Sequence, residues 1–143
     1  MQHKEVIKQW IDLADMDLAL SQHSAKTMRP TPHEIICFHC QQFTEKYLKA
    51  FLISKGIEPP YTHDLVKLLS LCEAENAVFS EIKERCAILT EYGVQPRYPA
   101  DMRINEDDMK RALHYAEVVK SFFLEKVSEL FEKTVNSHSE QKT

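Results

Sequence analysis

Residues 41 to 50 of the chain read Gln41-Gln42-Phe43-Thr44-Glu45-Lys46-Tyr47-Leu48-Lys49-Ala50. Within this stretch Phe43, Tyr47 and Ala50 recur at intervals of three and four residues, which places their side chains on one face of an α-helix. Ile36 and Cys40 continue the same row toward the N-terminus. The pattern predicts an amphipathic helix from about residue 32 to about residue 55, with this row packed into the core.

A first helix is predicted from about residue 3 to about residue 24, where apolar residues recur at the same spacing. Its expected core-facing row consists of Val6, Trp10, Leu13 and Leu20, with Ile7, Ile11, Ala14 and Leu18 beside them. Asp17 falls in phase with this row. A carboxylate in that position is at least partly buried, so we expect it to pair with a lysine or arginine from another helix. This structural pairing is favoured over a catalytic role.

Three more helices follow, and the two glycines help to define them. Gly56 and Gly93 both stand where an apolar pattern stops, which is the usual position of a helix C-cap. Thr62 is the predicted cap of a short third helix, a fourth is predicted from Val78 to Tyr92, and Asn105 caps the last one. The core-facing row of the last helix is Met109, Ala112, Ala116, Val119, Phe123, Val127 and Leu130. No segment alternates like a strand, so the chain is predicted to be all-α, an antiparallel up-and-down bundle of four long helices plus one short helix.

Length and composition narrow the class of protein. With 143 residues and 43% hydrophobic content, we expect a single helical domain over residues 1–134 and a polar C-terminal tail over residues 135–143. The net charge of -4 gives no overall positive field that would draw the chain to nucleic acid or anionic lipid. No apolar run reaches the roughly 18 residues that a membrane span needs, and the N-terminus has no export signal. These features predict a soluble, cytoplasmic protein without a membrane partner.

The four cysteines are expected to be reduced and buried, because they lie within predicted helices. Cys37-x-x-Cys40 is half of many zinc sites, but a second pair at matching spacing is missing, since Cys72 and Cys86 are fourteen residues apart. A zinc site completed by histidines is the less favoured alternative. The chain also lacks a Walker-type glycine-rich loop, a nucleophile motif and an acidic metal cluster. We therefore predict neither a metal nor a cofactor.

Four short motifs follow one another between residues 5 and 130. They are Trp10-x-x-x-Ala14-x-x-Asp17-Leu18, Gln41-Gln42-x-x-Glu45-Lys46-x-Leu48-Lys49-Ala50, His63-Asp64-Leu65 and Arg97-Tyr98-Pro99. Together, in this order, they resemble the HEPN domain family, the higher eukaryotes and prokaryotes nucleotide-binding domain. The resemblance implies a helical bundle that commonly pairs into homodimers. It also implies a link to nucleotides, to ribonuclease toxins and to small nucleotidyltransferases encoded as partners.

The polar residues of the second helix allow two interpretations. Gln41, Glu45 and Lys49 are each one turn apart and line one ridge beside the apolar row. In the first interpretation this ridge is an ordinary solvated face. In the second, Lys46 and Lys49 receive phosphate oxygens in a groove, while Gln41 or Gln42 hydrogen-bonds a base or a neighbouring backbone. The solvated face is the more common arrangement for residues of these types.

The two remaining motifs also have a structural alternative. His63-Asp64 is expected in the first turn of the third helix, where Asp64 complements the helix dipole and His63 contacts a ligand or a neighbouring subunit, or is only a surface residue. Arg97-Tyr98-Pro99 lies in the loop predicted over residues 94–104, and its guanidinium and aromatic ring suit phosphate or stacked-base recognition. Alternatively, Tyr98 closes the end of the bundle and Arg97 neutralises a buried acid or a helix C-terminus.

The sequence does not predict catalysis by the usual chemistry of the family. Ribonuclease members carry an arginine followed, after four to six residues, by a histidine, and no arginine here has a histidine in that window. Arg29 and His33 come closest, with three residues between them. No catalytic residue is therefore predicted.

The leading hypothesis is a non-catalytic HEPN-type binding module. It forms a homodimer and binds a nucleotide or RNA end, or docks a small nucleotidyltransferase in a toxin–antitoxin-like pair. The proposed ligand contacts are Arg97, Tyr98, His63, Asp64, Gln41, Gln42, Lys46 and Lys49, and the structural polar residues are Asp17 and Glu45. The alternatives are a ribonuclease toxin with a non-standard active site and a structural dimerisation module without a ligand.

Overall fold

The computed structural model describes residues 2–93 and 104–131 as a bundle of helices. Its α-helices are α1 (Gln2–Thr27), α2 (His33–Ser54), α3 (Leu65–Glu75), α4 (Lys83–Leu89) and α5 (Glu106–Lys126). Short 3₁₀ helices, Ala77–Ile82 and Thr90–Tyr92, flank α4 on both sides. No strand occurs within these two ranges, and the predicted all-α antiparallel bundle is confirmed.

Helix α2 lies at the centre of the bundle and packs against α1, α3 and α5. Its predicted core row, from Ile36 to Ala50, is buried. Aromatic rings make the densest contacts: the Tyr47 ring centroid lies 5.0 Å from that of Phe123, and the Phe51 centroid lies 4.6 Å from that of Phe79. The burial of these large rings stabilises the bundle most strongly, because the gain scales with the apolar area removed from water.

The predicted core row of α1 is wrong in its orientation. Val6, Leu13 and Leu20 are 39%, 52% and 48% exposed. The row predicted to lie beside them is the one that enters the core, namely Ile7, Ile11, Ala14 and Leu18. The apolar side chains of α1 spread around more of the helix surface than α2 covers. Periodicity shows which side of a helix is apolar, but it does not show which part of that side packs against another helix. The outer part of this apolar side is therefore left on the surface.

The predicted fourth helix is also wrong in detail, because the chain from residue 77 to residue 92 changes helical type twice. Its first part is the 3₁₀ helix Ala77–Ile82, in which Phe79 and Ile82 are both buried. Side chains three residues apart eclipse each other in a 3₁₀ helix, so this geometry points both of them at the core. Asn76 begins the segment by accepting a hydrogen bond from the Val78 N–H at 3.1 Å.

The residues that cap the helices are as predicted, except at the start of α3. Asp64, not the predicted Thr62, is the N-cap of α3, since its carboxylate accepts hydrogen bonds from the N–H groups of Val66 and Lys67. Asn105 caps α5 as predicted, in a capping box with Asp108. At the end of α2, Gly56 adopts a φ of 74°. This left-handed conformation is the one that favours glycine after a helix, so its C-cap position is confirmed.

All four cysteines are free and buried inside the bundle. Burial raises the pKa of Cys37, Cys40 and Cys86 to about 12 and also raises the pKa of Cys72. The thiols are therefore protonated at neutral pH, which makes them poor nucleophiles and poor metal ligands. Within residues 2–93 and 104–131, no group of three or more His, Cys, Asp or Glu residues is placed to hold a metal ion.

Two other predictions concern the limits of the chain. None of the helices in the described ranges is both long enough and apolar enough to cross a membrane. The predicted tail over residues 135–143 lies outside the described residues, as does the Arg97-Tyr98-Pro99 motif.

Candidate functional site

The polar ridge of α2 is not a solvated face. Gln41 is 0% exposed and Glu45 is 3% exposed, so both side chains belong to the interior. Ionised carboxylates are almost never fully buried unless they are paired and hydrogen-bonded, because losing water disfavours the charge. The favoured interpretation of this ridge is therefore wrong, and its residues have to be understood from their partners inside the protein.

Glu45 is the centre of one hydrogen-bonded cluster, which we call the Glu45 network and which comprises Gln41, Gln42, Glu45, Lys49 and His63. The Lys49 ammonium donates to one carboxylate oxygen of Glu45 at 3.1 Å, and Nδ1 of His63 donates to the other at 2.8 Å. The Gln41 amide also donates to that second oxygen, at 3.3 Å. One buried carboxylate thus ties the polar side of α2 to the segment that precedes α3.

The two glutamines extend the Glu45 network to the backbone. Gln41 Nε2 donates to the main-chain carbonyl of His63 at 2.8 Å, and Gln42 Nε2 donates to Gln41 Oε1 at 2.8 Å. Gly93 lies against the same amide, because a Cβ placed on it would come 2.9 Å from Gln41 Nε2. Gly93 therefore permits a close approach at this point, and its φ of -73° shows that it is not needed for a left-handed cap.

A second buried carboxylate holds the other lysine of α2. Asp17 accepts a hydrogen bond from Lys46 Nζ at 2.5 Å and one from His39 Nδ1 at 2.8 Å, and we call these three residues the Asp17 network. Asp17 is buried and has a lysine partner from another helix, as predicted, although Leu13 and Leu20, from which its burial was inferred, are exposed. His39 was missed as a partner, although it lies seven residues before Lys46 and so on the same side of α2.

A third polar contact, also missed from the sequence, links α1, α2 and α5. The buried Tyr47 hydroxyl donates to Asp15 Oδ1 at 2.5 Å, and Lys120 Nζ lies 3.5 Å from the same oxygen. Burial and the neighbouring Asp15 carboxylate both raise the pKa of the Tyr47 phenol. Tyr47 is therefore a neutral hydrogen-bond donor whose ring fills the core. The sequence gives one general indication of such a contact. A tyrosine in a core-facing row predicts a polar partner, because a buried hydroxyl usually forms a hydrogen bond.

The predicted ligand-binding residues consequently separate into three groups. Lys46 belongs to the Asp17 network, whereas Gln41, Gln42, Lys49 and His63 belong to the Glu45 network. Asp64 satisfies the first N–H groups of α3 as its N-cap, just before the first turn where it was expected. Arg97 and Tyr98 lie outside the described residues.

Among the side chains of the Glu45 network, His63 is the one that reaches solvent most fully. Its side chain is 62% exposed, against 11% for Lys49 and 4% for Glu45. Because Nδ1 is engaged by Glu45, Nε2 on the other side of the ring is the nitrogen left for an external partner. The buried cluster thus fixes the orientation of one exposed imidazole.

The fold and these networks define an α-helical bundle in which two buried carboxylates, Asp17 on α1 and Glu45 on the central helix α2, are both paired with lysines of α2. The HEPN domain family model matches residues 7–127 of the chain. The chain therefore belongs to the HEPN domain family, as its motifs indicated, and this membership supports a nucleotide- or nucleic-acid-related module.

A solved structure has the same architecture. The chain is similar to the protein TT1696 from Thermus thermophilus, whose crystal structure it matches with a TM-score of 0.71 and 23% sequence identity. The similarity covers 84% of this chain and 97% of that one, and at this identity it establishes the fold alone. No curated protein matches the chain.

Removal of the Glu45 carboxylate should destabilise the protein strongly. We expect Glu45→Ala to lower the free energy of unfolding by about 3 kcal/mol, because the nearly buried Lys49 ammonium loses its carboxylate partner. Urea denaturation monitored by circular dichroism measures the change.

The matched control is Asp12→Ala, which removes a carboxylate from the exposed Lys8–Asp12 pair on α1. Both partners there are more than half exposed, so the loss should stay within about 0.5 kcal/mol. Equal losses in the two variants would contradict the central role of the Glu45 network.

Proposed function

We propose that this chain is a nucleotide- or RNA-binding module that acts as a homodimer and docks a small nucleotidyltransferase in a toxin–antitoxin-like pair. Family membership supports the ligand class. The single structural observation that carries the proposal is the exposed His63 imidazole, held by Glu45 at 2.8 Å. A pre-oriented polar group loses less freedom on binding than a mobile surface side chain does, so it suits ligand recognition.

The two lysines of α2 make a smaller contribution in this proposal than the sequence suggested. Lys46 and Lys49 each already contact a buried carboxylate, and these carboxylates compensate most of the positive charge that would attract phosphate. The first contact with a ligand is therefore assigned to His63. Arg97 and Tyr98 remain the proposed phosphate and base contacts, and Gly93, the last described residue before them, lies against Gln41 of the Glu45 network.

The surface row of α1 supports the homodimer. Leu13, Met16 and Leu20 are 52%, 67% and 48% exposed and lie on neighbouring turns of one helix. Adjacent apolar side chains on a surface are typical of protein–protein contacts, because association removes them from water. We assign this row, Leu13, Met16 and Leu20, to the contact between two copies. The nucleotidyltransferase partner rests on the family resemblance alone, and co-purification of the chain with such a protein encoded in the neighbouring reading frame tests it.

Replacement of His63 should weaken ligand binding without unfolding the protein. We expect His63→Ala to reduce the affinity for ATP, GTP or a short RNA about tenfold, the equivalent of one charge-assisted hydrogen bond. Isothermal titration calorimetry of each ligand against wild type and variant measures the change.

His23→Ala is the control, since this histidine lies on α1 outside the Glu45 network. If wild type gives no heat with any of the three ligands, the protein is the structural dimerisation module without a ligand. If both variants bind as wild type does, His63 is not a ligand contact.

A charge placed in the α1 row should separate the dimer. We expect Leu13→Glu to convert the protein from the mass of two chains to that of one, because the interface would bury an unpaired carboxylate. Size-exclusion chromatography with light scattering measures the mass. Leu124→Glu on α5 is the control, because Leu124 is 49% exposed but outside the proposed interface. A monomeric wild type, or a dimer that survives Leu13→Glu, rejects this interface.

One observation favours a second candidate function, ribonuclease activity with a non-standard site. A carboxylate that accepts a hydrogen bond from Nδ1 of a histidine orients the ring and leaves Nε2 as the nitrogen that can accept a proton, which is the arrangement that general acid–base catalysis uses. The Glu45–His63 pair has this geometry, with Nε2 on the exposed side of the ring. In this function His63 Nε2 would take the proton from an RNA 2′-hydroxyl, and Arg97 would stabilise the phosphate.

RNA degradation by the purified protein tests this second function. If it holds, wild type cleaves a short RNA, and both His63→Ala and Arg97→Ala lower the rate by about 100-fold or more, the usual contribution of one acid–base or charge-stabilising group. Cleavage products separated on a denaturing gel give the rate, with His23→Ala as the unaffected control. The absence of cleavage, or cleavage that neither substitution changes, leaves the binding module as the function.

A further inference from the structure

A groove of about 510 Å³ opens between the N-terminal half of α1, the C-terminal half of α2 and the connector to α3. Apolar side chains form most of its wall, namely Val6, Ile53, Ile57, Pro59 and Pro60. Two aromatic residues, Trp10 and Tyr61, also line it. Its volume lies within the range of small-molecule sites in proteins. We call this feature the Trp10 groove.

The aromatic residues of the Trp10 groove come from different elements and are supported differently. Trp10 lies on α1 and packs in part against the core. Tyr61 is fully exposed and follows directly after Pro59-Pro60, whose rings restrict the backbone of the connector. Tyr61 and Trp10 thus line the same groove, and the Tyr61 ring is fully exposed on a restricted backbone. A flat ring bound there would remove both aromatic surfaces from water.

The polar groups of the groove set the chemistry that it can recognise. The Lys49 ammonium donates to Glu45 at 3.1 Å and lies 5.7 Å from the centroid of the Trp10 ring. An ammonium has three N–H donors, and in the described ranges Glu45 is the single hydrogen-bond acceptor found for it. Lys49 therefore retains donor capacity beside the tryptophan. Glu58, which is exposed and also lines the groove, supplies an acceptor, and the exposed His3 of α1 is the third polar side chain of the lining.

We propose that the Trp10 groove binds a nucleobase, stacked against Trp10 and Tyr61, with ring acceptors facing Lys49 and an exocyclic amine facing Glu58. This inference rests on the proposed function, because it takes nucleotides or RNA ends as the ligand class, and it assigns one base to this groove in addition to the base contact proposed for Tyr98. Aromatic side chains can stack on any of the bases, since every base has an aromatic face. The paired donor and acceptor match a base edge, which carries both kinds of group.

The charges of the groove favour the base over the phosphate. The charge of Lys49 is already compensated by Glu45, and the Glu58 carboxylate repels an anion. A nucleoside should therefore bind about as well as its monophosphate, and inorganic phosphate should not compete. The phosphate of a nucleotide would point out of the groove.

The tryptophan itself provides the test, because Trp10 is the one tryptophan in the chain. Adenosine, AMP, inorganic phosphate and a short oligoadenylate are titrated separately into the full chain, with indole emission excited at wavelengths where adenine does not absorb. We expect adenosine and AMP to quench Trp10 with similar, saturable curves and phosphate to leave its emission unchanged. Binding by the oligoadenylate, but not by adenosine or AMP, would locate the nucleic-acid contact elsewhere and overturn the inference.

Tyr61→Ala should raise the dissociation constant for adenosine about tenfold or more, as the loss of one stacking partner does. The fold should survive, because the Tyr61 side chain is fully exposed. Circular dichroism confirms this for the variant. Leu124→Ala is the control, since Leu124 is exposed on α5, outside both the groove and the proposed dimer interface, and its titration should match that of wild type.

Calorimetry on the same samples separates failure of this inference from failure of the proposed function. Nucleotide binding that gives heat without quenching Trp10, or quenching that Tyr61→Ala leaves unchanged, overturns the nucleobase site and retains the binding module. No heat and no quenching overturn both. Quenching by adenosine that appears only after the protein is diluted to its monomer shows that a second copy covers the groove, which also overturns the inference.

Discussion

The buried carboxylate of Glu45 is the constraint on which the polar half of the bundle depends. An ionised group at 3% exposure requires donors from the protein, and Lys49, His63 and Gln41 supply them. These donors come from α2 itself and from the connector that precedes α3. Satisfying one carboxylate therefore fixes where the connector lies and how it is oriented relative to the helix. Gly93 approaches the same cluster, so the end of the second 3₁₀ helix is positioned by it as well.

The Asp17 network has the same effect at the contact between α1 and α2. There a carboxylate from α1 meets Lys46 and His39, and the helix pair is held by polar contacts in addition to its apolar row. Each network thus combines one carboxylate, one lysine and one histidine, although the chain order differs. Replacing a buried pair of this kind by apolar side chains of equal size is often neutral or stabilising, whereas removing one partner is costly because a buried charge is left unpaired.

Much of the fold was predictable from periodicity and end signals. The core row of α2 and that of α5 were correct because spacing along one helix identifies its apolar face, and the Asn105 cap was correct because it depends on an N–H group three residues away. The orientation of α1 was not, since its apolar sector is wider than the face that α2 covers. The site was only partly predictable. Asp17 needed a cation by its position, but nothing local indicates that Glu45, in an ordinary i to i+4 pair with Lys49, is buried.

The amino-acid sequence by itself determined the helical class, the family and the residues that form the motifs, because these follow from spacing along one chain. Only the tertiary structure decided what the motif residues do. It turned Gln41, Glu45 and Lys49 from a surface ridge into interior partners, left His63 as the exposed member of their network, and placed Trp10 opposite the connector to α3. The physical reason is that burial and pairing depend on which helix covers which face, and that choice is made by the packing of the whole chain at once.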